Sequence, residues 1–233
     1  MNRRTIVALV LSSVLLAATA TAATKPYHLK KLDMSRKGWW HVTATYPSFT
    51  ANNPIAKAAT VGFRADAEKA MKQFIKDYGS DPKPEREYEF EIAPVLSIAT
   101  PQIISGYLQV YANTWGAHPG HDFRAHTYGI IKGKSTRLRM RDILKPGADL
   151  ADFAEGVVLP ELNVLKKERG GENVDSLDLP LLNNFVVTPG GITIIFPAYS
   201  VGCYAEGDYY VKLPWSKLKA HIDPSGPLAK MVK

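Results

Sequence analysis

The chain has 233 residues, of which 45% are hydrophobic, with 29 Lys and Arg against 22 Asp and Glu for a formal net charge of +7. That length suffices for one larger domain or two small ones with a real core, and the single Cys203 excludes an intramolecular disulfide framework. The basic residues are interspersed with uncharged ones, as in Lys134 to Arg141. A nucleic-acid partner is therefore not expected, although an anionic envelope polymer would feel the same attraction.

Arg3 and Arg4 precede an uncharged apolar run from Thr5 to Ala18, and Ala20-Thr21-Ala22 offers small residues for cleavage. This pattern predicts a secretory signal over residues 1–22. Thr5-Ile6-Val7 fits the twin-arginine variant poorly. The apolar run is shorter than the roughly 20 residues of a membrane span, and no later segment is as apolar, so no stable span is expected in the mature chain. Cleavage would leave residues 23–233, with 27 basic against 22 acidic residues, located in the periplasm or released. Cys203 then reads as a small buried apolar residue rather than a reactive thiol.

Trp40, Val42, Ala44 and Tyr46 alternate with His41, Thr43 and Thr45, the period of a half-buried strand that stops at Pro47. A helix follows, capped by Asn52 or Asn53 and opened by Pro54, with Ile55, Ala59, Phe63, Ala67, Met71, Phe74 and Tyr78 on one face until Gly79. Glu87 to Ile92 alternates strictly and reads as a strand with Glu87, Glu89 and Glu91 on a solvated face. Ile103 to Asn113 and Arg124 to Ile131 form the two arms of a hairpin, and Lys132-Gly133-Lys134 makes a second tight connection. Asp149 opens a helical stretch that is interrupted near Pro160 and ended by Gly170-Gly171.

Phe185 to Thr188 and Ile192 to Phe196 flank Pro189-Gly190-Gly191, a hairpin signal that rests on the freedom of glycine at positive φ. A last strand holds Val211 and Leu213, and Pro214 begins a short helix in which Trp215, Leu218 and Ile222 share a face. Segregated helices and hairpin connections predict an α+β fold, a largely antiparallel sheet with packed helices. Residues 23–113 and 114–233 read as two modules packed into one globular unit.

Trp39 to Phe49 (W-W-H-V-T-A-T-Y-P-S-F), Tyr111 to Gly120 (Y-A-N-T-W-G-A-H-P-G) with Leu138 to Gly147, and Phe196 to Leu218, taken in order, resemble an RsiV-like extracytoplasmic family. It includes the lysozyme-sensing part of an anti-sigma factor, the non-catalytic part of PdaC-like polysaccharide deacetylases, and mycobacterial secreted immunogenic antigens. The resemblance implies an α+β extracytoplasmic module of mostly unknown function whose best-understood member binds a protein; it does not imply catalysis. This chain departs from the receptor in lacking a sigma-binding region, and from the deacetylases in lacking the metal-ligand motifs of their catalytic domain. Where the family often has an Asp after the Gly-Ala-His turn, it reads His126-Thr127-Tyr128-Gly129.

The segment Tyr111 to Gly129 holds His118, His121 and His126, three of six histidines. Zinc needs about three ligands converging on one point, but this spacing is no known zinc signature, and residues five apart on a strand point to opposite faces. Ser105-Gly106 lacks the nucleophile-elbow pattern, and Cys203 paired with a histidine or Glu206 with Asp208 are further weak catalytic candidates. The favoured reading is a non-catalytic binding module for a protein such as lysozyme or for an envelope glycan, with Trp115, His118, His121, Tyr199, Tyr204 and Glu206 as contacts and no cofactor. The alternative is a metal-dependent envelope hydrolase that uses His118, His121 and His126.

Overall fold

A computed structural model describes residues 26–232, so the predicted leader lies outside the described residues. The long helix forms where its signals stand. The Asn53 side chain accepts from the Ala56 N–H, Pro54 occupies the first turn, and helix α1 runs Pro54–Tyr78 until Gly79. Its buried stripe is Ile55, Ala56, Ala59, Phe63, Ala67, Ala70, Met71 and Phe74. Each large side chain there contributes about 1.5–3 kcal/mol of burial free energy.

That stripe packs on one face of a six-stranded sheet. Its strands, adjacent in chain order, are β1 (Tyr27–Arg36), β2 (Trp40–Phe49), β3 (Tyr88–Ala99), β4 (Ile104–Asn113), β5 (Gly120–Ile131) and β6 (Lys134–Arg137). Every pairing is antiparallel except β2 with β3, where α1 makes the crossover. Strand β2 does not stop at Pro47. It parts from β3 at Ala44 and continues along β1 alone, an edge position that tolerates a residue with no N–H. The expected division at 113/114 falls inside the β4–β5 hairpin, whose second arm starts at Gly120, earlier than the pattern indicates. At the β5–β6 turn, Lys132 (φ 49°) and Gly133 (φ 76°) are both left-handed, as a two-residue primed turn requires.

The second layer begins after Arg137. Asp149 caps α2 (Leu150–Phe153), a π turn covers Ala154–Val158, and α3 (Leu159–Glu168) follows with Pro160 in its first turn. The expected interruption thus lies just before Pro160, where its missing N–H leaves the preceding turn wide. A three-stranded antiparallel sheet follows in the order β7 (Phe185–Thr188), β8 (Gly191–Phe196) and β9 (Tyr209–Pro214), and helix α4 (Trp215–Leu218) closes it. In the β7–β8 hairpin the position that needs glycine is Gly191, where φ is +158° and the backbone of β9 approaches closely. Gly190 is not left-handed, while a Cβ at Gly191 would sit 2.0 Å from the Leu213 carbonyl oxygen.

Hydroxyls join the two sheets. The Val187 N–H donates to Ser105 Oγ (2.8 Å), Ser105 Oγ lies 2.7 Å from Thr127 Oγ1, and Thr127 donates to the Phe185 carbonyl (3.2 Å). Because Thr127 spends its one hydrogen on Phe185, Ser105 must be the donor between the hydroxyls. A bulge at Ser97 aims its hydroxyl at the Val187 carbonyl, 2.7 Å away. The fold is α+β, mostly antiparallel, and it holds the β4–β5 loop beside the β8–β9 loop.

Candidate functional site

The β4–β5 loop is held by its own side chains. Asn113 accepts the Trp115 N–H at 3.0 Å, the Trp115 indole donates to the Glu87 carbonyl at 2.8 Å, and the Arg86 guanidinium lies 5.1 Å from the ring centre. These contacts keep Trp115 at φ 60° while it is 44% exposed. Tyr199, on the β8–β9 loop, sits at φ 70° and is 63% exposed. A bulky residue in the left-handed region costs on the order of 1–3 kcal/mol, and such strain gathers at functional sites.

His118 joins the two loops. Its ring stacks on Tyr204 at 3.6 Å and 12°, its Nε2 lies 2.8 Å from the Tyr199 hydroxyl, and the Tyr204 hydroxyl donates to the Pro119 carbonyl at 3.3 Å. Beside this stack, a groove of about 630 Å³ is lined by Arg86, Tyr88, Asn113, Trp115 and His118. Four of the expected contact residues, Trp115, His118, Tyr199 and Tyr204, therefore share one edge of the molecule.

Glu206 holds the loop from below. It accepts from Lys166 Nζ (2.6 Å), the Tyr209 hydroxyl (2.7 Å) and the Cys203 N–H (3.1 Å), while Lys166 also donates to the Val201 carbonyl (2.6 Å). The Lys166 bond first, then those from Tyr209 and Cys203, hold the Glu206 carboxyl down at about 2. The carboxylate occupies space that Cβ atoms at Gly171 or Gly202 would invade, at 2.3 and 2.5 Å. Asp208 accepts the Ala198 N–H at 2.9 Å. The two carboxylates thus brace the loop that presents Tyr199 and Tyr204. Cys203 is exposed, not buried as its composition class suggests, because it caps the short 3-10 turn Tyr204–Glu206 at the surface.

The three histidines separate. His118 stacks on Tyr204, and His121 lies edge-on to Tyr111 on the sheet face away from α1. His126 is fully buried under Phe63 of α1, with ring centres 4.1 Å apart. His121 and His126 are an odd number of residues apart on β5, so they leave it on opposite faces. Among the described residues, no three His, Cys, Asp or Glu side chains gather as a metal-holding group. Ser105 is likewise buried and committed to the hydroxyl relay.

Two polar assemblies lie outside the residues that the sequence singled out. Lys166 stands four residues after Leu162, on the buried stripe of α3, a spacing that marks a lysine inside the core. His126 Nε2 lies 3.1 Å from Asp66 Oδ2, off the axis of a good hydrogen bond, and Arg137 donates to the same oxygen at 2.8 Å. His126 and then Arg137 hold the Asp66 carboxyl below its usual range, and burial holds the His126 pKa down.

Among the described residues no helix is long and apolar enough to cross a membrane. No curated protein matches the chain in sequence. A crystal structure of a DUF3298 family member from Bacteroides fragilis superposes with a TM-score of 0.59 at 16% identity, covering 89% of this chain and 97% of that one. A DUF3298 family protein from Pseudomonas aeruginosa superposes with a TM-score of 0.60 at 14% identity, covering 86% and 96%. Residues 141–216, from just after β6 to the start of α4, match the family model described as a protein of unknown function, DUF3298. That segment is similar to the DUF3298 family model, and the chain shares its overall fold with those two structures.

Proposed function

We propose that the protein is an extracytoplasmic, non-catalytic binding module that recognises a protein such as lysozyme or an envelope glycan through the edge formed by Trp115, His118, Tyr199 and Tyr204. The observation that carries this reading is the pair of exposed aromatics at Trp115 and Tyr199, both held left-handed, with Tyr199 bonded to His118 of the loop that carries Trp115. Rigid aromatic rings supply contact area at low entropic cost. The leader-like residues 1–22 support an extracytoplasmic location, and the resemblance to the RsiV-like family supports recognition of a protein. The separation of the histidines gives the hydrolase alternative no support, and stoichiometric zinc in the purified mature chain would restore it.

The test is retention of the immobilised mature chain on lysozyme and on purified peptidoglycan. Tyr199→Gly removes the ring and keeps the backbone conformation, so it is expected to weaken retention about tenfold or more, as is Trp115→Ala. The reading is overturned if neither material is retained, or if both variants bind like the wild type.

A further inference from the structure

We propose that β1 is an interface between two copies of this chain, pairing antiparallel with itself about a two-fold axis at Leu32. Among the described residues, strand β1 is the outermost strand of the six and pairs only with β2. Helix α1 packs on β2 to β6, chiefly on β2, and all of β1 except the half-buried Tyr27 and Leu32 is exposed. Leu29 and Met34 are 57% and 50% exposed, and Leu32 alone in the strand packs against the helix-side core. Along the ten residues of β1, the backbone donors and acceptors that point away from β2 form a template for another strand.

Geometry limits which strand fits. A two-fold axis that merges two edges into one sheet stands normal to it, so opposed residues share a face and one residue lies on the axis. Centring on Lys30, Lys31 or Asp33 sets that charge against its own copy, which is unfavourable. Centring on Met34 leaves Asp33 facing Ser35. Centring on Leu32 places Lys31 opposite Asp33 of the second copy, and it does so twice. Lys31 and Asp33 already share a face, with Nζ and Oδ2 2.6 Å apart, so the pairing would close a four-charge ring. On the helix side Leu32 meets Leu32, and the Lys30 stem meets Met34. Lysines at an edge repel strands in general; here they select the single register in which an aspartate faces each Lys31.

Crosslinking reads the register directly. Opposed Cα atoms in an antiparallel pair are about 4.5–5.5 Å apart, within disulfide range. In a Cys203→Ser background, Leu32→Cys is expected to give a covalent dimer on oxidation. Leu29→Cys and Ser35→Cys should crosslink to each other when mixed and not when alone. In sedimentation the wild type should dimerise. Lys31→Asp or Asp33→Lys should weaken the dimer about tenfold or more, since each change acts twice, and the double reversal should restore it. A wild type that stays monomeric to about 1 mM, a Leu32→Cys chain that crosslinks no more than Leu29→Cys alone, or a double reversal as weak as the single variants overturns the proposal. None of these readouts uses the aromatic edge, so its failure and this one are distinguishable.

Discussion

Lys166 is 2% exposed, and a buried ammonium requires a counter-charge. Glu206 supplies it, and removing one member of a buried pair leaves the other uncompensated, at a typical cost of roughly 3–5 kcal/mol. Because Glu206 keeps some access to water, with 15% of its side chain exposed, Glu206→Gln is expected to cost about 2–3 kcal/mol in denaturant unfolding at pH 7. The same pair sets an acid dependence. The Glu206 carboxyl titrates near 4.5 in the unfolded chain and at about 2 in the folded one. Its stabilisation is present in full above pH 4.5 and is lost as pH falls toward 2. Stability measured against pH should therefore fall less steeply across that window in Glu206→Gln than in the wild type. An unchanged slope would show that Glu206 is not the titrating group.

At the scale of elements, α1 was legible almost residue by residue, because its cap, its first-turn proline and its 3.6-residue stripe are local signals. Its glycine was not. Gly62 lies in mid-helix, where alanine is ordinarily worth about 1 kcal/mol more, yet a Cβ there would sit 1.7 Å from the Tyr128 hydroxyl. Gly62→Ala should therefore destabilise by about 1–3 kcal/mol, as overpacking does, and a second change, Tyr128→Phe, should recover part of the loss. A thermal scan in which Gly62→Ala melts at or above the wild-type temperature would refute this. The β5 histidines make a similar case. Their alternation could be read from strand parity, but that His126 would meet Asp66, 60 positions earlier in the chain, depends on how α1 docks.

At the scale of the molecule, the two sheets are tied by hydroxyls as well as by apolar contact. Ser105→Ala leaves the Val187 N–H and the Thr127 hydroxyl without their shared partner, an expected loss of about 1–3 kcal/mol. Both sheets should still unfold in one transition, since the hydroxyl relay runs along their common seam. Two transitions, followed by Trp40 fluorescence in the first sheet and Trp215 fluorescence beside the second, would show the layers to be independent.

The sequence by itself determined the α+β class, the limits of α1, the β4–β5, β5–β6 and β7–β8 hairpins and the aromatic loop residues, because each depends on periodicity or turn chemistry within a few positions; it did not mark β1, nor that α4 ends at Leu218 and leaves Ile222 to bridge Leu144. Only the tertiary structure decided that His118 would stack on Tyr204 and reach Tyr199, 81 positions away, that His121 and His126 would part, and that Glu206 would brace a loop against a buried lysine. Those outcomes depend on the packing of distant segments, and side-chain pattern along one strand or helix carries no information about which distant partner fills the facing space.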